Sequence, residues 1–294
     1  MSLKKMFNLP DFVNGIEIYS KFFELKKKFS YAFYEDCEVM SIFGCFPNCV
    51  WNGGGYFCNP QFYNGIMVKD IVTHYKNLGI PIRFTFTNPS LDEKHFEDTY
   101  ANLICELAQN GNNEILTSDD RLEAYLRKNY PNYKYCKSII GTENEPVFLD
   151  DKYYITVMKR FMNNNWTYLD TIPMSYRHKI EFLCTDPCPD GCPRIYSHYK
   201  EHGKTQLTYG LYPSPCTMYD VKGPFQNKYA RGLKTFITLD MIENDYIPRG
   251  FNCFKISGRG NHGAMISGIM NYLTKPDYRE DIMEMLIMEI DKDI

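Results

Sequence analysis

The chain lacks any apolar run approaching the ~18 residues of a membrane-spanning helix. Its opening residues, Met1-Ser-Leu-Lys-Lys-Met-Phe-Asn-Leu-Pro10, hold no apolar stretch of secretory-leader length. Both gaps predict a cytoplasmic protein without a membrane partner. An excess of positive charge is missing too: 33 Lys and Arg face 36 Asp and Glu, a formal net charge of -3. Bulk attraction to nucleic acid or anionic lipid is therefore absent, and the 24 Tyr and 20 Phe read as packing rather than as base-stacking platforms. The sequence has no phosphate loop, no dinucleotide glycine fingerprint, no His-Glu-x-x-His and no serine nucleophile elbow. Nucleotide-driven and serine-nucleophile chemistries thus have no carrier. With no internal repeat and no Ser/Gly linker, the chain is expected to form one domain over residues 1–294.

What is present is cysteine, 11 residues in 294. The count is odd and far below the density of a disulfide-stapled scaffold, so in a reducing compartment clustered thiols favour metal or redox roles. Three of them stand at even intervals in Cys184-Thr-Asp-Pro-Cys188-Pro-Asp-Gly-Cys192-Pro193, directly behind the strand-like run Lys179–Leu183. Pro187, Pro189 and Pro193 stiffen that loop and Gly191 turns it, so the thiols can converge with little further loss of chain entropy. A four-thiolate site suits either iron–sulfur or Zn2+. Cys105, Cys136 and Cys253 fall on helix or strand patterns and read as core thiols. Cys45 and Cys49, ahead of Trp51-Asn-Gly-Gly-Gly55, suit either a site or loop packing.

Eight β-branched or aromatic runs predict strands: 38–43, 82–87, 114–117, 135–139, 154–157, 179–183, 233–237 and 253–256. Helical patterns at 66–77, 91–109, 118–130, 240–246, 262–273 and 278–290 lie between or after them, with Ser118 and Ser90 as candidate N-caps. Such alternation predicts an α/β fold, a parallel eight-stranded (β/α)8 barrel of the TIM type. Residues 1–33, helical over 13–29, would form an N-terminal extension acting as lid or bottom cap, and 274–294 a C-terminal helix. In such a barrel, function gathers at the C-terminal ends of the strands. Asn88, Thr117 to Asp119, Cys184, Lys255, Ser257 and Arg259 all fall at predicted strand ends. Lys255 and Arg259, with Gly258 and Gly260 ahead of a helix, suit a carboxylate or phosphate; pairing of Lys255 with Glu181 is the structural alternative. Asp119 reads as a helix-start residue or a base. His198 is a candidate substrate contact, metal ligand or proton carrier, and His262 a weaker one.

The segments Lys179-Ile-Glu-Phe-Leu-Cys184, Cys188-Pro-Asp-Gly-Cys192-Pro-Arg-Ile-Tyr-Ser-His198, Phe236-Ile-Thr-Leu-Asp-Met241 and Gly250-Phe-Asn-Cys-Phe-Lys-Ile-Ser-Gly-Arg259 resemble the peptidase U32 (collagenase-like) superfamily, in its short, single-barrel branch. Phe84-Thr-Phe-Thr-Asn88 and Ile115-Leu-Thr-Ser118 extend the resemblance. It implies a barrel with a cysteine-ligated [4Fe-4S] cluster in several members, and roles in oxygen-independent hydroxylation of ubiquinone or RNA, or in proteolysis. Ser257 stands where many members carry Glu, which argues against proteolysis. For a cluster, Cys184, Cys188 and Cys192 would supply three ligands and Cys216, in Pro213-Ser-Pro-Cys216, the fourth, with Cys45 in reserve. Lys255, Arg259, Asn88 and His198 are the expected substrate contacts. The spacing departs from the cysteine triplet of radical SAM enzymes, since Gly191 stands at its third position. The expected function is redox modification of a small molecule or RNA. A metal-dependent hydrolase or peptidase, or an accessory subunit docking a partner protein, is the alternative.

Overall fold

The computed structural model describes residues 3–53, 62–140, 149–186, 188, 192–208 and 233–290. Eight strands, β1 (Lys5–Pro10), β2 (Cys37–Gly44), β3 (Ile82–Phe86), β4 (Glu114–Thr117), β5 (Lys134–Lys137), β6 (Ile155–Val157), β7 (Ile180–Leu183) and β8 (Cys253–Lys255), close into a barrel in chain order. The pairing is parallel, with registers such as Phe84↔Ile115 and Phe182↔Phe254. The fold is therefore the expected (β/α)8 barrel. Its strands read as buried runs rather than alternating ones; all five residues of β3 are buried, as in a parallel sheet covered on both faces.

Among the described residues the longer helices are α1 (Ile16–Lys28), α2 (Gly65–Leu78), α3 (Thr99–Ala108), α4 (Asp120–Asn129), α5 (Ile195–Thr208), α6 (His262–Tyr272) and α7 (Arg279–Ile290). Their ends follow local chemistry. Asn64 caps α2 through the N–H groups of Ile66 and Met67, and Gly79, at φ 73°, ends it. Asp119, one residue beyond the expected Ser118, caps α4; Ser90 gives way to Asp92, which caps a short 3-10 turn, and to Asp98, which caps α3. Residues 240–246 are not one helix but a three-residue α turn, Leu239–Met241, followed by a π turn, Ile242–Tyr246.

Two strand expectations need correction. Residues 1–33 are not a helical extension ahead of the barrel, because β1 lies within them and α1 follows it. Residues 233–235 form a bend and turn and 236–237 no regular element, instead of a strand. The reason is edge occupancy: β8 pairs with β7 on one side (Glu181↔Cys253) and β1 on the other (Met6↔Cys253), leaving no edge there for another strand.

The chain divides into two compact units. The first holds β1, β7 and β8 with α1, α6 and α7. Asn8 of β1 donates to Glu181 of β7, past the intervening β8, and accepts from the Ser41 hydroxyl of β2; side chains from alternate strands meet in this way only inside a barrel. Outside, Phe7 packs on Phe254 and Tyr272, with centroids 5.8 and 5.6 Å away. The second unit holds β3 to β6 with α2 to α5. Its buried Arg83 donates through Nε to Glu114, and Trp51 lies edge-on to Phe86 while donating Nε1–H to the His95 carbonyl at 2.7 Å.

Candidate functional site

Lys255 closes β8 with its side chain buried, and its Nζ lies 3.9 Å from Glu181 Oε1. Glu181 is fully buried, and its other oxygen takes the Asn8 amide. The pairing of Lys255 with Glu181 is thus present, joining the last residue of β8 to the second residue of β7. The following loop is tied down at both ends. Ser257 N–H donates to Thr185 Oγ1 at 2.8 Å, and Gly260 N–H to Asp11 Oδ2 at 2.7 Å. Asp11, at the end of β1, adopts φ 64° and also accepts from Asn14 N–H and Nδ2. Gly258 and Gly260, at φ 145° and 71°, flank half-buried Arg259. Only glycine adopts the Gly258 conformation without strain, and a Cβ there would press on Ala264. Asn261 caps α6 through Ala264 N–H, while a His262 ring nitrogen lies 3.1 Å from the Asn14 carbonyl.

The cysteine loop begins where β7 ends. Cys184 is fully buried; its N–H donates to the Lys255 carbonyl, its carbonyl accepts from Ile237 N–H, and its thiol points to the Phe182 carbonyl at 3.7 Å. Burial pushes that thiol well above its ordinary range. Asp186 forms a buried ion pair with Arg160 at 2.6 Å and accepts from Cys188 N–H at 3.0 Å. Cys188 and Cys192 are half-buried. Cys216 lies outside the described residues. Among the described residues, no group of three or more His, Cys, Asp or Glu side chains is gathered so that it could hold a metal ion.

Cys45 and Cys49 are buried in the second unit, in a loop fastened to the end of β3. Thr85 Oγ1 bonds Gly44 O and Asn52 Oδ1, and Asn88 N–H donates to the Trp51 carbonyl. The Asn88 side chain, fully buried, donates to the carbonyls of Val50 and Gly203 and accepts from Ser90 N–H. Both of its N–H groups therefore face the protein's own carbonyls. Asp119 serves as the α4 cap. Burial pushes its carboxyl up, but hydrogen bonds from Arg121 outweigh this and hold it below the ordinary value.

His198 lies on α5, and its Nε2 is 3.0 Å from Nε2 of His202 one turn later. Sequence reasoning missed His202, although its four-residue offset from His198 was readable. It also missed Asp186 within the cysteine loop, and Arg160, Asn8 and Asp11. Asp11 was hidden because β1 was hidden.

No family model and no curated protein matches this chain. A solved structure titled as that of the U32 peptidase Mk0906 is similar in fold: 12% identity, a TM-score of 0.48, and coverage of 75% of this chain and 84% of that one.

Proposed function

We propose that the protein binds and acts on a small molecule bearing a carboxylate or phosphate at the C-terminal ends of β7 and β8. Lys255 carries this reading: a buried ammonium at a strand end, 3.9 Å from a fully buried carboxylate. At that separation the carboxylate balances the ammonium's charge, so a cation is kept in a buried setting where an anionic group of a small molecule would be attracted. The adjoining loop presents Arg259 between two glycines, and the N-terminus of α6 follows. Asn8 orients Glu181, which can accept a proton from the bound molecule. A thermal-shift screen of small carboxylates and phosphates, followed by calorimetry, tests this. A hit should lose at least tenfold in affinity in Lys255→Met/Glu181→Gln, which removes both charges together; unchanged affinity sinks the reading.

A second reading rests on the Cys184, Cys188, Cys192 spacing: a [4Fe-4S] or zinc centre completed by Cys216 or Cys45, serving redox modification such as oxygen-independent hydroxylation. The soft donors fit such a centre chemically. The described residues do not gather three of them. Iron, acid-labile sulfide and zinc assays on protein purified without oxygen decide the matter. Iron and sulfide lost in Cys188→Ala support the redox centre; zinc alone, or no metal, removes it.

A further inference from the structure

On α5, His198 and His202 bring their Nε2 atoms to 3.0 Å, with ring centroids 4.4 Å apart. Two imidazole nitrogens at that distance need something between them, because their lone pairs repel: a single shared proton, or a metal ion. The separation suits an ion. With metal–nitrogen bonds of about 2.0–2.1 Å, two ligands subtend about 2.9 Å at a right angle and about 3.3 Å at the tetrahedral angle. The helix holds this geometry by its own period, since residues four apart share a face. Both residues are half-buried. Imidazole pairs select borderline divalent ions over Mg2+ or Ca2+.

We propose that His198 and His202 form a two-imidazole site for a divalent ion of the Zn2+ or Ni2+ class, its remaining positions taken by water or a ligand. The site uses no residue of the Lys255–Glu181 pair and no cysteine, so it stands or falls apart from both readings above. Zn2+ is the probe, titrated calorimetrically into a Cys188→Ser/Cys192→Ser background, which removes the competing thiols of the adjacent loop. One equivalent should bind there, and adding His198→Gln or His202→Gln should weaken it at least tenfold. Circular dichroism checks that α5 and the fold persist, and Gln keeps a hydrogen-bonding side chain of similar length. Absence of Zn2+ binding in the background, or equal binding by either glutamine variant, overturns the proposal and leaves a shared proton between the rings.

Discussion

Asn88 shows how far a residue's type and its place can diverge. A polar side chain at a strand end of a barrel reads as a ligand contact, yet here it stitches the 49–53 loop and α5 to β3. Asn88→Ala would strand two carbonyls and one N–H in a buried setting, and should cost about 2–4 kcal/mol, read as a lower urea midpoint with an unchanged slope. Gly203→Ala should act at the same place, because its Cβ would overlap the Asn88 amide. Lys255 was legible as one of two alternatives, an anion contact or a partner of Glu181. The structure contains the pairing. Asp11 was not legible, since its role comes from a long-range bond to Gly260. Asp11→Ala should raise hydrogen exchange at Gly260 N–H while leaving the β4 amides unchanged.

Among elements, β1 was the one overlooked. Lys4, Lys5 and Pro10 interrupt the apolar pattern of the segment, but Lys5 is buried between Asp36 and Glu243, at 2.8 and 2.7 Å, so its charge is compensated rather than solvated. The strand's apolar anchor is Phe7, and Phe7→Ala should cost about 3–5 kcal/mol by chemical denaturation; a cost under 1 kcal/mol would deny β1 a place in the core. The helices were easier to read, because 3.6-residue periodicity and capping residues are local signals. Both expected caps moved by a short step: Ser90 gives way to Asp92 and Asp98, and Ser118 to Asp119, whose side chain takes both the Arg121 and Leu122 N–H groups. Asp119→Ala should destabilise by about 1 kcal/mol. Because this carboxyl is held below its ordinary value of 3.8, its contribution is present above that pH and is lost as pH falls through the lower folded value. The gap between wild type and Asp119→Ala should therefore close in acid.

At the scale of the whole molecule, buried thiols and phenols set the behaviour in base. Burial pushes the Cys37 thiol up to about 12 from an ordinary 9.0, and the Tyr130 phenol to about 12 from 10.0. Cys105 and Tyr133 move in the same direction for the same reason. These groups keep their protons in the folded chain and lose them sooner in the unfolded one. Their contribution is complete below about pH 9 and is lost as pH rises towards 12. The urea midpoint should fall between pH 9 and 11, and less steeply in Cys37→Ala; a midpoint flat over that range would contradict the burial of these groups.

The sequence by itself determined the alternation of short strands and amphipathic helices, hence the parallel barrel, and it marked seven of the eight strand positions and the evenly spaced cysteines. Those features rest on periodicity, propensity and spacing, which are properties of neighbours along the chain. Tertiary structure alone decided that β1 rather than 233–237 closes the barrel, because only pairing shows which edges of β8 are filled. It also decided that Glu181 meets Asn8 and Lys255, that Asp11 holds the Gly258–Gly260 loop, and that Asn88 faces carbonyls. Each of these depends on contacts between residues far apart in sequence, and no local pattern encodes them.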